Sequence, residues 1–442
     1  GERLKINANY DTESTFDFQN QIKLEYTPTE DDILQKIEIG NVSMPLNSSL
    51  ITGAQSLFGV KTQLQFGKTR ITGVFSEQRS QTRTITAQGG GTIEEFALFA
   101  LDYDEDRHFF LSQYFRDRYN VALENYPFVN TPVEITRVEV WVTNRSAQTQ
   151  NVRNIVGLQD LGEADPNKTR INQPPTPAPS GFFNSADPNA FPDNENNDYN
   201  PEGIGTANSV LTDDIRDVAT IQDGFPPTIN AQQGFDYVYL ENARKLNENE
   251  YKVHTKLGYI SLNQRLSNDE VLAVAFQYTA NGQVFQVGEF ANGGIDATQV
   301  TNTDTDGNPT QIDNQNLVVK LLKSAITEVD DPIWDLMMKN IYSTDAYQLS
   351  PEDFRLNILY TDPSPVNYIT AVDGGPALPA DVADEILLKV FNLDRLDIYQ
   401  NPQAGGDGFF DYYPGLTVDQ EFGRIIFTTV EPFGEFLFEQ LR

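Results

Sequence analysis

The side chains able to carry chemistry in this 442-residue sequence are few in kind. There is no Cys, and the two histidines are His108 and His254, so thiolate nucleophiles, disulfides, Cys-type zinc sites and three-His zinc sites are impossible within the chain. A Ser-His-Asp triad would need one of those histidines as its base. His108 stands near Asp106 but opens an aromatic, helix-like run, His254 sits in an ordinary strand pattern, and no G-x-S-x-G elbow occurs. Both therefore read as structural, and no catalytic residue is expected. The phosphate cradle G-x-x-x-x-G-K-[ST] is absent too, since Phe66-Gly67-Lys68-Thr69 has only its tail. Carboxylates are abundant, with 64 Asp and Glu. Glycoside hydrolysis needs only two of them about 5–10 Å apart, so abundance selects no pair.

Two acidic loops have the spacing of hard-cation ligands. Asp304-Thr305-Asp306-Gly307-Asn308 matches the start of a calcium loop, in which alternate oxygens face inward and Gly allows the sharp turn; the closing Glu is missing and the next acid is Asp313. Asn401, Asp407, Gly408 and Asp411 form a looser set. The candidate calcium ligands are thus Asp304, Asp306, Asn308, Asp407 and Asp411, and solvated Asx turns give the same pattern without a metal. No other cofactor is expected.

The elements that must position these groups divide the charge unevenly. Lys and Arg number 31 against 64 acids, a net charge of −33. A surface this negative repels phosphate backbones and argues against nucleic acid as a partner. Residues 1–90 hold 10 acids and 9 bases, so nearly all of the excess lies on residues 91–442. No apolar run approaches the roughly 18–20 residues of a transmembrane helix. Gly1 and the closing run Glu435-Phe-Leu-Phe-Glu-Gln-Leu-Arg442 read as the cut ends of something longer.

The pattern predicts a mainly β (α+β) chain of antiparallel sheets and hairpins with a few short covering helices. In residues 1–88 apolar side chains alternate through Leu4, Ile6 and Ala8, then Ile22 and Leu24, then Ile37 and Ile39, then Val60, Leu64 and Phe66, and Gly67-Lys68 turns a hairpin toward Ile71 and Phe75. The opposite face carries Lys61, Gln63 and Gln65, which suits a barrel lumen or a solvated sheet face. Four to six strands fit there, fewer than the roughly eight that close a membrane barrel. Residues 89–162 read as an amphipathic helix from His108 to Leu123 and a second hairpin pairing 138–142 with 152–158. Residues 163–234 hold 10 of the 24 prolines and 10 asparagines and read as a linker unable to offset its ordering entropy, briefly helical after Thr212. Residues 235–442 read as an antiparallel β-rich domain with strands over 237–240, 251–255, 258–262, 271–278, 284–290, 317–322, 354–360 and 424–430. The fourth of these is central, Asn281-Gly282 is a hairpin turn, and short helices follow Asp331-Pro332 and Pro379. With 28 Phe and 19 Tyr beside so many carboxylates, this composition also suits a secreted carbohydrate-binding or carbohydrate-hydrolysing β protein, and the acidic loops suit a calcium-stabilised surface adhesin.

Several longer runs are more specific. They are Asn41-Val-Ser-Met-Pro-Leu-Asn-Ser-Ser-Leu-Ile-Thr-Gly53, Phe58-Gly-Val-Lys-Thr-Gln-Leu-Gln-Phe-Gly67, Arg107-His-Phe-Phe-Leu-Ser-Gln-Tyr-Phe-Arg-Asp117 and Glu139-Val-Trp-Val-Thr-Asn144. Leu257-Gly-Tyr-Ile-Ser-Leu-Asn263, Asp269-Glu-Val-Leu-Ala-Val-Ala275, Trp334-Asp-Leu-Met-Met-Lys-Asn340 and Gly423-Arg-Ile-Ile-Phe427 join them. Together they resemble the SprA (Sov) family, the outer-membrane translocon of the type IX secretion system of Bacteroidetes, also required for gliding motility. The resemblance covers most of the chain apart from the Pro/Asn-rich segment. It implies a structural role without covalent chemistry, in conducting folded cargo through a very large single-chain β-barrel. Residues 1–88 would then be barrel or barrel-adjacent strands in the cell outer membrane. The acidic remainder would be extramembrane, on the periplasmic or cell-surface side, capping or lining the pore. The implied partners are a PorV-type lateral-gate protein, a periplasmic plug and secreted cargo with a C-terminal signal domain. Members of that family are several times longer, so pore closure would belong to a parent chain.

Overall fold

The computed structural model describes residues 4–9, 21–26, 33–43, 56–67, 69–76, 85–88, 91–146, 148–171, 187, 189–229, 231–293, 297–303, 309–352, 354–361, 364–371, 377–380, 382–383 and 385–442. The chain divides into two compact units, Gly1–Glu95 and Phe96–Arg442. It is mainly β, with antiparallel sheets and few short helices.

Unit 1 is an antiparallel meander of β1 (Leu4–Asn9), β2 (Gln21–Tyr26), β3 (Leu34–Ser43), β4 (Ser56–Phe66) and β5 (Thr69–Ser76), in that spatial order. A separate hairpin joins β6 (Ile85–Gln88) to β7 (Gly91–Glu94). The β4–β5 turn is as expected, with Phe66 opposite Thr69 and Gly67 at φ 60°, a conformation that costs Gly little. The register sets Ile39 opposite Val60, Val60 opposite Phe75, and Leu64 opposite Ile71. Because side chains alternate along a strand, Val60, Leu64, Phe66, Ile71 and Phe75 share one face. Among the described residues of unit 1 nothing covers that face: Phe75 is 88%, Ile71 51% and Phe66 50% exposed.

Unit 2 begins with β8 (His108–Phe110), α1 (Gln113–Leu123), β9 (Val133–Val142), β10 (Val152–Leu158), β11 (Tyr237–Lys245), β12 (Tyr251–His254), β13 (Tyr259–Leu262), β14 (Leu272–Ala280) and β15 (Gln283–Val287). The remaining elements are β16 (Thr298–Thr303), β17 (Pro309–Asn314), β18 (Leu317–Lys323), β19 (Ile341–Ser343), α2 (Leu387–Val390), β20 (Val418–Asp419), β21 (Arg424–Ile426) and α3 (Leu437–Leu441). Strands β14, β18, β10, β11 and β9 pair in sequence, and β9 pairs back to β14, so the sheet closes on itself. All contacts in this barrel are antiparallel except β10 with β18. Trp141, Ile155, Ala243, Ala273, Ala275, Leu317 and Val319 form a buried cluster on one face of these strands, the small alanines suiting a narrow interior. The other face joins the main core, where α1 lays Phe115 against Phe276 and Tyr278. The expected central strand is β14, flanked by β9, β18 and the hairpin partner β15 across Asn281-Gly282.

Five sequence expectations need correction. The helix does not include His108, which belongs to β8 because its backbone pairs with Ser261 of β13 and its carbonyl accepts from Met338. The second hairpin is not one: β10 is buried on both faces over 154–158, so it takes a neighbour on each edge, and β11 lies between β9 and β10. Among the described residues 354–360 form no strand, only a bridge from Tyr360 to Val366, and the helix after Pro379 is confined to the single turn α2.

The fifth concerns the Pro/Asn-rich segment. Its described part is packed onto the barrel and does not run free: Tyr199, Leu211, Ile215, Ile221 and Phe225 belong to the main core. Its asparagines work as backbone partners. Asn197 Nδ2 donates to the carbonyls of Asp160 (2.6 Å) and Glu163 (3.0 Å), Asn196 Nδ2 to those of Gly162 and Phe191, and Asn194 Oδ1 accepts from the Gly288 amide. Composition alone misjudges such a stretch, since each side-chain amide satisfies backbone groups that a strand ladder would otherwise satisfy. The proline run 174–179 lies outside the described residues.

Candidate functional site

The polar array with the most developed geometry lies where the small sheet β12-β13-β8 meets β19-β21-β20. Tyr103 bridges to Tyr342 of β19 and the Asp104 amide donates to the Ile341 carbonyl, which fixes Asp104 at the edge of β19. Strand β8 then brings His108 opposite Ser261. Asp104 Oδ2 lies 3.1 Å from His108 Nε2, and His108 Nδ1 lies 2.7 Å from Ser261 Oγ. Arg424 Nε of β21 donates to the same Asp104 oxygen at 2.8 Å, and Arg107 stands 3.4 Å away.

Electrostatics orders the protons in this array. Burial pushes the Asp104 carboxyl up, but the His108 hydrogen bond and the neighbouring cationic groups, Arg107 and Arg424 among them, outweigh it and hold the group below the usual carboxylate range. Burial lowers His108 against the opposing pull of Asp104, which favours the neutral ring. An ionised carboxylate only accepts, so Nε2 must carry the imidazole proton and Nδ1 presents a bare lone pair to the Ser261 hydroxyl. Ser261 is half-buried and lines a cavity of about 150 Å³ together with His108, Lys252, His254, Asp419 and Arg424. Sequence reading set His108 beside Asp106; the structure selects Asp104 and a serine more than 150 positions later, which no local spacing signals.

The acidic candidates are placed differently. Asp304, Asp306 and Asn308 lie outside the described residues. Asp411 is buried, and its carboxylate accepts from Tyr126 Oη (2.6 Å) and the amides of Arg395 (2.6 Å) and Leu396 (3.0 Å). Burial pushes it up to about 6 despite those donors. Asp407 Oδ1 caps its own turn by accepting from the Phe409 amide, and its backbone amide is bound by Asp394. Among the described residues no group of three His, Cys, Asp or Glu is arranged to hold a metal.

A further carboxylate, Asp160, is 1% exposed and accepts from the amides of Arg170 (2.9 Å) and Ile171 (2.6 Å). Burial pushes it up to about 7, against the pull of those amides and of Lys320. A carboxyl raised from 3.8 contributes stability that is present below the unfolded value and lost as pH rises through the folded one. Asp160→Asn removes that titration. Urea unfolding should therefore show the wild type losing about 2–3 kcal/mol relative to this variant between pH 5 and 8; an unchanged difference would place the Asp160 titration elsewhere.

Taken together, these features describe a two-unit, mainly β protein, one unit an amphipathic sheet with an uncovered apolar face and the other a closed acidic body. The SprA_N family model, described as motility related/secretion protein, matches residues 1–271, and the chain belongs to that family. The match runs through unit 1 and into unit 2 as far as the residue before β14. No curated protein matches the chain.

Proposed function

We propose that this chain is a structural, non-catalytic segment of the protein-conducting outer-membrane translocon of the type IX secretion system, serving protein export and gliding motility. Family membership supports a secretion and motility role, and the uncovered apolar face of unit 1 carries the membrane part of the reading. Strands β3 and β4 have 10 and 11 residues, matching the roughly 9–11 that cross a bilayer as a tilted β-strand. Alternation of Val60, Leu64 and Phe66 with Lys61, Gln63 and Gln65 supports a lipid face and a lumen face for this strand. In this reading unit 1 is barrel wall and unit 2, which carries the acidic excess, is extramembrane. A PorV-type lateral-gate protein, a periplasmic plug and cargo with a C-terminal signal domain are the corresponding partners. Export of this kind makes and breaks no covalent bond in the chain.

The two faces of β4 and β5 test this. An Arg placed on a lipid face near the bilayer midplane costs about 2–4 kcal/mol, whereas a lumen position tolerates it. Phe75→Arg and Ile71→Arg are expected to deplete the assembled parent chain from the outer membrane and the cargo from the medium, with Gln63→Arg leaving both near wild type. Equal tolerance of all three would defeat the membrane assignment.

A further inference from the structure

The Asp104–His108–Ser261 array has the connectivity of a nucleophile, a base and an orienting carboxylate, although export as proposed uses none of them. We propose that Ser261 is an activated nucleophile for acyl transfer, with His108 as its general base and Asp104 as the positioning residue that fixes the imidazole, acting on a small carboxylic ester in the adjoining cavity. This goes beyond the export reading: it leaves the conducting role untouched and, where it holds, replaces only the description of the chain as non-catalytic.

The geometry carries the proposal in three respects. Ser261 Oγ is 2.7 Å from His108 Nδ1, within the reach required of a nucleophile and its base. Arg424 and Arg107 meet the same Asp104 oxygen that faces His108 Nε2, so the carboxylate remains an acceptor and keeps the ring in the tautomer whose bare nitrogen faces the hydroxyl. The array opens onto a space of about 150 Å³ that Ser261 lines together with Arg424, Lys252 and Asp419, where Arg424 is paired with Asp104 and Asp419 and Lys252 with Glu421. That volume is well below the roughly 300–1,000 Å³ of drug-sized sites, which restricts the acyl group to a few carbons.

The step balances with an ester and water. Ser261 Oγ bonds to the carbonyl carbon while its proton passes to His108 Nδ1. Collapse breaks the bond to the alkoxy oxygen, which leaves with that proton, and the acyl group stays on Ser261. Water then adds to the acyl carbon, its proton taken by the same nitrogen and returned to Ser261 as the carboxylic acid departs.

The test uses the intact chain and a short-alkyl fluorophosphonate, from which Ser261 Oγ displaces fluoride. Peptide mass spectrometry should find the phosphonyl adduct on Ser261, absent from Ser261→Ala and formed at least about 100-fold more slowly in His108→Gln, with the circular dichroism of both variants unchanged. In the wild type the labelling rate should be flat through neutral pH and fall in acid as one group protonates, a measurement that needs no variant to fold. Failure to modify Ser261, modification at the wild-type rate in His108→Gln, or a rate rising in proportion to hydroxide across the whole range would overturn the proposal.

Discussion

Replacing Lys320 with alanine is expected to destabilise unit 2 by about 3–5 kcal/mol in urea unfolding. Lys320 lies on β18, a strand buried along its whole length, and its side chain is 1% exposed. Its ammonium group sits 2.8 Å from Glu163 Oε1 and also donates to the Gln159 carbonyl. Glu163 is itself 4% exposed, and the same oxygen accepts from the Gln113 amide at the start of α1, so the lysine ties the barrel to the helix. Truncation leaves a buried carboxylate without its counter-charge, close to Asp160 in sequence and in space. The cost is chiefly that of the stranded charge, not the lost value of the pair. The double variant Lys320→Met/Glu163→Gln is therefore expected to recover most of the loss, because it removes both charges and keeps an acceptor for Gln113. An additive double variant would show that the two side chains act independently.

Gly258→Ala is expected to cost about 3 kcal/mol or more, read as a lowered urea midpoint with an unchanged slope. Gly258 connects β12 to β13 at φ 65°, a region that disfavours any Cβ. A Cβ there would also stand 2.3 Å from the Phe115 ring, which is packed against Phe276 and Tyr278 and cannot withdraw. The Gly258 carbonyl accepts from Leu111, between β8 and α1, so a shift of this turn also disturbs the register that sets His108 opposite Ser261. Gly282, also at positive φ but with open space around its Cβ direction, should bear the same substitution at a smaller cost.

What could be read from the sequence was local. The alternation of Val60 through Phe66, the Gly67 turn, the Asn281-Gly282 turn and the two-faced burial of β14 each depend on neighbours within a few residues, and each is present. What could not be read was pairing between distant segments. The stretch 138–158 has the local look of a hairpin, and only the insertion of β11, from beyond residue 236, shows otherwise. The Pro/Asn-rich segment has the composition of a linker, yet Asn194, Asn196 and Asn197 find backbone partners on loops whose positions depend on the finished barrel. The polar array followed the same rule: the His108 ring was visible, but its partners depend on where β13 and β21 fall. The acidic spacings drew attention to Asp411, which the structure places among backbone amides and the Tyr126 hydroxyl.

The parallel contact between β10 and β18 bears on how the protein is made. Ile155 and Leu317 lie more than 150 positions apart, so until β18 docks, β10 holds a naked edge. Barrel closure is thus a non-local step, and chains that stop short of it expose an unpaired edge prone to association.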